Sequence, residues 1–251
     1  VFSHWPAWPL PRSLRLYDIE GESCGYFAGR RTRFLYHVAP RMSPREYHEL
    51  MDAGFRRSGQ VMYQPNCPGC RDCVPVRVPV DEFAPDKSQR RNWKRNQDLR
   101  ITIDRPRLTQ EKVDLYCRYQ EARHGQSRDE AAKGLAEFLY HSPVATFEFC
   151  YRNAADRLLA VGIADVCELS VSSVYFYYDP DERKRGLGVF GAMVEIDACR
   201  RRGIPYYYLG FWVRGCDRMA YKRDFRPAEL LGTDGVWRRA PRAVIEPRRE
   251  D

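Results

Sequence analysis

Arg183-Lys184-Arg185-Gly186-Leu187-Gly188 separates a β-like aromatic run, 169–179, from an apolar helical run, 188–202. How this hexapeptide is read decides the fold of the second half of the chain. Glycines let a backbone close on a phosphate, successive N–H groups then point at it, and the N-terminus of the following helix adds favourable partial charge. Arginines in the same turn add Coulomb attraction. A capped helix after a plain turn is the alternative reading of the same residues.

Working outward, strands and helices alternate. A strand at 100–104 precedes helices at 113–124 and 129–140. Strands at 144–151, 158–166 and 169–179 follow, then the helix at 188–202 and a strand at 206–211. A short helix at 216–223 and a strand pair turning at Asp234-Gly235 complete the pattern. This order resembles the acyltransferase fold of the GCN5-related N-acetyltransferases, and the loop resembles their R-x-x-G-x-G/A signature. In those enzymes the anion is the pyrophosphate of coenzyme A. The expected fold class is α/β (α+β), with a small cysteine-containing N-terminal domain at 1–99 and an acyltransferase-like catalytic domain at 100–251.

The N-terminal part carries one well-marked helix. Ser43 is its N-cap, Pro44 fits the first position, Glu46 completes a capping box and Gly54 can end it. Val61-Met62-Tyr63 reads as a short strand. Residues 73–80 (CVPVRVPV) have strand-like composition, and their two prolines predict an edge strand or an extended connector. The run 87–95 (KSQRRNWKR) predicts a helix over 88–97, with Arg90, Arg91, Lys94 and Arg95 on one face. That face suits a polyanion, and a merely solvated face is the plainer reading.

Lys and Arg number 42 against 34 Asp and Glu, a formal net charge of +8, which favours an acidic partner such as RNA. No run of about 18 apolar residues is present, so no membrane span is expected. The N-terminal VFSHWPAWPLPR lacks the apolar core of a secretory signal. A reducing, cytoplasmic setting is expected, which argues against structural disulfides. Of the nine cysteines, those at 117, 150, 167, 199 and 216 read as small buried hydrophobes. Cys67-Pro68-Gly69-Cys70-Arg71-Asp72-Cys73 instead has the spacing of a ligand pattern. The five histidines are isolated from one another and from this turn.

Two aromatic segments, 174–180 (VYFYYDP) and 206–212 (YYYLGFW), could stack bases in a groove, while alternate residues of each strand belong to a core. At this point several long stretches together resemble one family. They are Cys24 to Arg30 (CGYFAGR), Gly54 to Gly59 (GFRRSG), Tyr63 to Arg77 (YQPNCPGCRDCVPVR), Ser88 to Arg91 (SQRR) and Tyr206 to Lys222 (YYYLGFWVRGCDRMAYK). The chain resembles the bacterial branch of the aminoacyl-tRNA–protein transferases, the aspartate/glutamate leucyltransferases, relatives of the eukaryotic arginyl-tRNA–protein transferases.

The resemblance implies that leucine passes from the 3′ end of a charged tRNA to the α-amine of a protein beginning with Asp or Glu, marking it for N-end rule degradation. It makes Arg77, Arg90 and Arg95 candidates to pair with the acceptor carboxylate or the tRNA. Asp165 is the candidate to hold or deprotonate the amine, and a strand-end carboxylate capping a turn is its plainer reading. Tyr178 and Tyr221 are candidate polar groups near the ester. Lys222 is a candidate for the tRNA phosphate or terminal ribose, and Arg183, Gly186 and Gly188 for the anion cradle. The ester is already activated, so no cofactor is expected for the chemistry itself.

An iron–sulfur cluster is associated with the cysteine element C-G-Y-C of the eukaryotic relatives. Here Phe27 replaces the second cysteine, and Cys24 with Cys67, Cys70 and Cys73 would offer four thiolates to a [4Fe–4S] cluster or a zinc. A reduced thiol cluster without metal stays open beside that expectation. Two further alternatives differ in donor or in class: an arginyl-tRNA–protein transferase with the same acceptors, and a non-enzymatic, redox-sensitive RNA-binding protein. A coenzyme-A-dependent acetyltransferase is a closer rival. Neither the sequence nor the resemblance specifies an oligomeric state.

Overall fold

The computed structural model describes residues 14–241, so the expectation drawn from the first twelve residues lies outside the described residues. Two sheets carry the fold. The smaller is antiparallel, in the order β1 (Tyr17–Ser23), β2 (Arg31–Val38), β4 (Val61–Pro65), β3 (Arg56–Ser58). Helix α1 (Pro44–Asp52) begins at the expected capping box, with the Glu46 N–H donating to Ser43 Oγ at 3.2 Å. Its buried side, Tyr47, Leu50 and Met51, closes on Leu35, Phe55 and Met62.

The larger sheet has eight strands. Its order is β12 (Trp237–Arg239), β11 (Glu229–Leu231), β5 (Cys73–Pro79), β10 (Tyr206–Val213), β9 (Ser170–Tyr178), β8 (Leu158–Val166), β7 (Thr146–Arg152), β6 (Arg100–Asp104). Strand β5 therefore lies inside this sheet, which corrects the expected edge strand. Its prolines are tolerated because β11 pairs only with Val76 and Arg77, so Pro75 and Pro79 have a ladder partner on the β10 side alone. β8 is buried almost throughout, since helices cover both faces. Helix α5 (Leu187–Arg201) packs Leu187, Phe190 and Ile196 on one face. Helices α3 (Gln110–His124) and α4 (Arg128–Ala132) pack Leu115, Tyr116 and Ala131 on the other. The helix expected at 129–140 is split, with α4 followed by a π-helical turn at Ala136–Tyr140. The result is the mixed α/β architecture expected from the element order.

Helix α2 (Lys87–Arg95) carries the basic run and is capped by Asp86 and Gln89. Trp93 docks it on α5, its ring 5.3 Å from that of Phe190. No helix among the described residues is long and apolar enough to cross a membrane.

One feature of the large sheet creates the site. β9 and β10 run parallel but pair only from Ser170↔Tyr206 to Ser172↔Tyr208. Just beyond, each strand carries an extra residue relative to its other neighbour. Val174 lies between the pairs Ala164↔Ser173 and Ile163↔Tyr175, and Leu209 between Tyr208↔Arg77 and Gly210↔Val76. A bulge bends its strand and sharpens its twist. Two bulges on facing strands pull β9 and β10 apart and open a wedge.

Candidate active site

The wedge widens into a cleft of about 630 Å³. Its floor is the inner edges of β9 and β10. One wall is the turn into α5, the other comes from β3, β4 and the Gly25-Tyr26 loop. The lining holds Arg56, Arg57, Arg123, Arg218, Lys222 and His124 and no Asp or Glu. A cleft lined by one sign of charge concentrates ligands of the other.

Lys222 follows the short helix α6 (Asp217–Ala220) and lays its amine across Gly210. Protein surrounds the amine, although the side chain stays partly accessible from the cleft mouth. Burial first, and the neighbouring Arg56 second, pull its pKa down to about 7, while the Cys73 sulfur opposes them. A neutral amine is thus available at ordinary pH. Arg56 is buried, at 7% exposure, and donates from Nη2 to the Ser173 carbonyl at 2.7 Å, beside the β9 bulge. Tyr178 and Tyr221 also reach the cleft. Tyr178 packs on Tyr119 with ring centres 5.1 Å apart. The Tyr221 hydroxyl is pushed up to about 12, chiefly by burial, with Tyr119 and Tyr178 adding to it, so it remains a donor.

The anion-loop residues divide. Gly186 and Gly188 line the cleft, whereas Arg183 is exposed outside it. Gly186 is required twice over: its φ is +66°, and a Cβ there would stand 2.5 Å from Asn92 Nδ2. At Gly188 a Cβ would meet nothing within 4 Å. Helix α2 holds the turn from behind. Asn92 donates to the Arg185 and Gly186 carbonyls at 2.8 and 3.1 Å, and Arg95 to the Lys184 carbonyl at 2.6 Å. Arg90 is exposed and donates to the Pro85 carbonyl. The basic helix and the anion loop therefore form one continuous exposed surface beside the cleft.

Two expected residues lie elsewhere. Asp165 is fully buried and absent from the cleft lining. It accepts from Arg57 Nε at 2.6 Å and Nη2 at 3.1 Å, from the Tyr47 hydroxyl at 2.6 Å and from Thr146 Oγ1 at 2.6 Å. Arg77 is half-buried between Asp52 at 2.6 Å and Glu229 at 2.8 Å, its guanidinium stacked on Tyr206 and Trp237.

The expected metal site is corrected. Among the described residues no group of three or more His, Cys, Asp or Glu is arranged to hold an ion. Cys24, Cys67, Cys70 and Cys73 are electrostatic neighbours, but they do not converge. Cys67 Sγ accepts from the Arg33 N–H at 3.4 Å, and Cys70 Sγ lies 3.5 Å from both Arg30 Nη1 and Asp72 Oδ2. Burial, with Cys70 next, pushes the Cys73 thiol up to about 12. The residues do not fit a four-thiolate centre, and no step below uses one.

Sequence reasoning missed Arg56, Arg123, Tyr119 and Gly210. A glycine inside an aromatic strand was a signal, since it marks a bulge or a close approach. The Arg56-Arg57 pair in the short run between Gly54 and Gly59 was another.

Comparison with known proteins finds relatives along most of the sequence. The family model for the arginine-tRNA-protein transferase N terminus matches residues 22–91, and that for the C terminus residues 111–232. The aspartate/glutamate leucyltransferase of Pseudomonas putida (strain W619) is 40% identical over 227 residues, 87% of this chain and 94% of the relative. That of Pseudomonas syringae pv. tomato is 39% identical over 230 residues, 89% and 96% of the two chains. Among solved structures, L-PGS from Bacillus licheniformis overlays with a TM-score of 0.46 at 12% identity, over 68% of this chain and 61% of that one. On the two family models and these sequence relatives, which run across both halves, the chain belongs to the arginine-tRNA-protein transferase family.

Proposed function

We propose that the protein transfers leucine from leucyl-tRNA to the α-amine of proteins that begin with Asp or Glu, so committing them to N-end rule degradation. The carrying observation is a cleft lined by five Arg and Lys side chains, of which Arg57 is already paired with Asp165, and by no carboxylate, in a chain about 40% identical to aspartate/glutamate leucyltransferases over most of its length. Both substrates bring anions to the reacting centre, the tRNA its phosphates and the acceptor its side chain. The work takes place in the cytosol, where charged tRNA is found.

The reaction asks for alignment and proton transfer. The acceptor amine attacks the ester carbonyl, a C–N bond forms, and the C–O bond to the terminal ribose breaks. Lys222, with its pKa near 7, takes the proton from the attacking amine and returns it to the departing ribose oxygen. Tyr178 and Tyr221 donate to the ester oxygens. The extra residue Val174 lines the wedge, where a carbonyl oxygen gains charge. Gly186, Gly188 and the N-terminus of α5 face the last phosphate, and Arg90, Arg95 and Arg183 hold the strand leading to it. In this reading β3, β4 and the Gly25-Tyr26 loop supply the acceptor wall, and the large sheet, which takes in β5 from the N-terminal part and so crosses the expected boundary at 99/100, supplies the catalytic floor. Asp165 and Arg77 act as internal braces.

The test is transfer read by mass spectrometry, with total aminoacylated tRNA and peptides beginning Asp, Glu, Lys or Ala. A leucine mass on the Asp and Glu peptides alone supports the reading. An arginine mass overturns the donor but keeps the mechanism. No addition to any peptide sinks it.

A further inference from the structure

Three cationic side chains of the described residues are buried: Arg56, Arg57 and Lys112. Arg57 has Asp165, and Lys112 has Glu148. Arg56 has no carboxylate. Its partners are the Ser173 carbonyl on Nη2, at 2.7 Å, and the Met51 sulfur on Nη1, at 3.8 Å. A buried charge without a counter-ion is costly, and the cost is recovered when an anion arrives. These two contacts hold the guanidinium in place, and Arg56 lines the cleft.

Position decides which anion fits. Arg56 Nη2 and Lys222 Nζ lie 3.8 and 2.9 Å from one common point, the place a Cβ would take on Gly210. Both therefore face the floor of the wedge, between the splayed strands. The turn at Gly186, held from behind by Asn92 of α2, forms another wall of the same cleft and suits a phosphate. An N-terminal Asp or Glu carries its carboxylate only a few bonds from its α-amine. With the amine at Lys222, that carboxylate falls to Arg56.

We infer that Arg56 is the subsite for the acidic side chain of the acceptor's first residue, binding its carboxylate while the α-amine is delivered to Lys222. This rests on the transferase reading above. It makes acceptor choice a consequence of one unneutralised charge at the foot of the wedge. A neutral first residue leaves the guanidinium buried and unpaired, so rejection follows from the same charge as selection.

The experiment compares leucine transfer to peptides beginning Asp, Asn, Glu and Gln, in the wild type, Arg56→Gln and Arg56→Lys, with thermal melts as the check on folding. In the wild type, Asp exceeds Asn, and Glu exceeds Gln, by about tenfold to a hundredfold in kcat/KM, the range for a hydrogen-bonded charge pair. In Arg56→Gln that ratio falls toward one, through a raised acceptor KM. Arg56→Lys keeps the charge but loses the fork, and gives an intermediate ratio. A folded Arg56→Gln that retains the ratio overturns the inference, and so does one that weakens all four peptides alike or raises KM for leucyl-tRNA instead. Should Arg56→Gln not fold, an unchanged ratio in folded Arg56→Lys overturns it equally. Wild-type protein that moves no leucine to any peptide sinks the transferase reading, and this inference with it.

Discussion

The Lys222 amine stands 2.9 Å from the point a Cβ would occupy on Gly210, whose φ of +92° already excludes most side chains. The lysine reaches the wedge because the strand beneath it has no side chain there. Gly210→Ala displaces the amine and strains the backbone by about 1–3 kcal/mol. The expected outcome is a lower Tm together with a fall in kcat larger than the change in either KM, checked by melting curves and steady-state transfer.

The pH dependence of transfer follows from Lys222, which faces Arg56 and the Cys73 sulfur. Only its neutral form accepts a proton, so kcat rises as pH rises through about 7 and then levels. Lys222→Arg holds a permanent charge. It loses roughly 10²- to 10⁴-fold in kcat, and the inflection near neutrality disappears. A pH–rate profile of both proteins checks this, and a surviving inflection in the variant removes Lys222 as the base.

Glu195 of α5 is buried, with the Tyr207 hydroxyl donating to Oε2 at 2.7 Å and no hydrogen-bond partner on Oε1. Burial raises its pKa from 4.5 to about 7, with the Tyr207 and Ser173 contacts opposing. Between those values the folded state holds the proton more tightly than the unfolded chain, so wild-type stability falls as pH rises through this window. Glu195→Gln keeps an acceptor for Tyr207 and has no charge to bury. Its Tm matches the wild type near pH 4 and exceeds it near pH 8.

Asp165 and Arg57 are fully buried partners. Asp165→Asn leaves the guanidinium unneutralised and costs about 3–5 kcal/mol. The double change Arg57→Met with Asp165→Leu removes both charges and restores most of that loss. Denaturant titrations check the cycle. Asp165→Asn assayed below its melting temperature is expected to keep the wild-type pH profile, because Arg57, Tyr47 and Thr146 already occupy the carboxylate oxygens.

The anion turn depends on Asn92 through its bonds to the Arg185 and Gly186 carbonyls. Asn92→Ala loosens the turn, costs about 1–2 kcal/mol and raises KM for leucyl-tRNA. Gly186→Ala meets both the +66° φ and the Asn92 amide. Combining the two changes relieves the clash but not the backbone strain of about 1–2 kcal/mol, so the pair is less than additive.

Local chemistry made much of this legible. The capping box at Ser43 and Glu46, the basic helix and the glycine turn before α5 were readable because each is a short-range pattern. The cysteine turn misled, because thiols two residues apart satisfy a ligand spacing without converging in space. Asp165 misled for a related reason: a strand-end carboxylate looks the same in sequence whether a cleft or an arginine faces it.

Residue types and their order, on their own, determined the acyltransferase-like succession of elements, the basic surface and the family. Only the tertiary structure decided that β5 enters the large sheet, that bulges at Val174 and Leu209 part β9 from β10, and that Arg56 meets Lys222 over Gly210. The physical reason is that helix caps and side-chain periodicity act over a few residues, whereas a sheet is assembled from strands distant in the chain. Which charge finds a partner, and which is left for a substrate, is settled by that assembly.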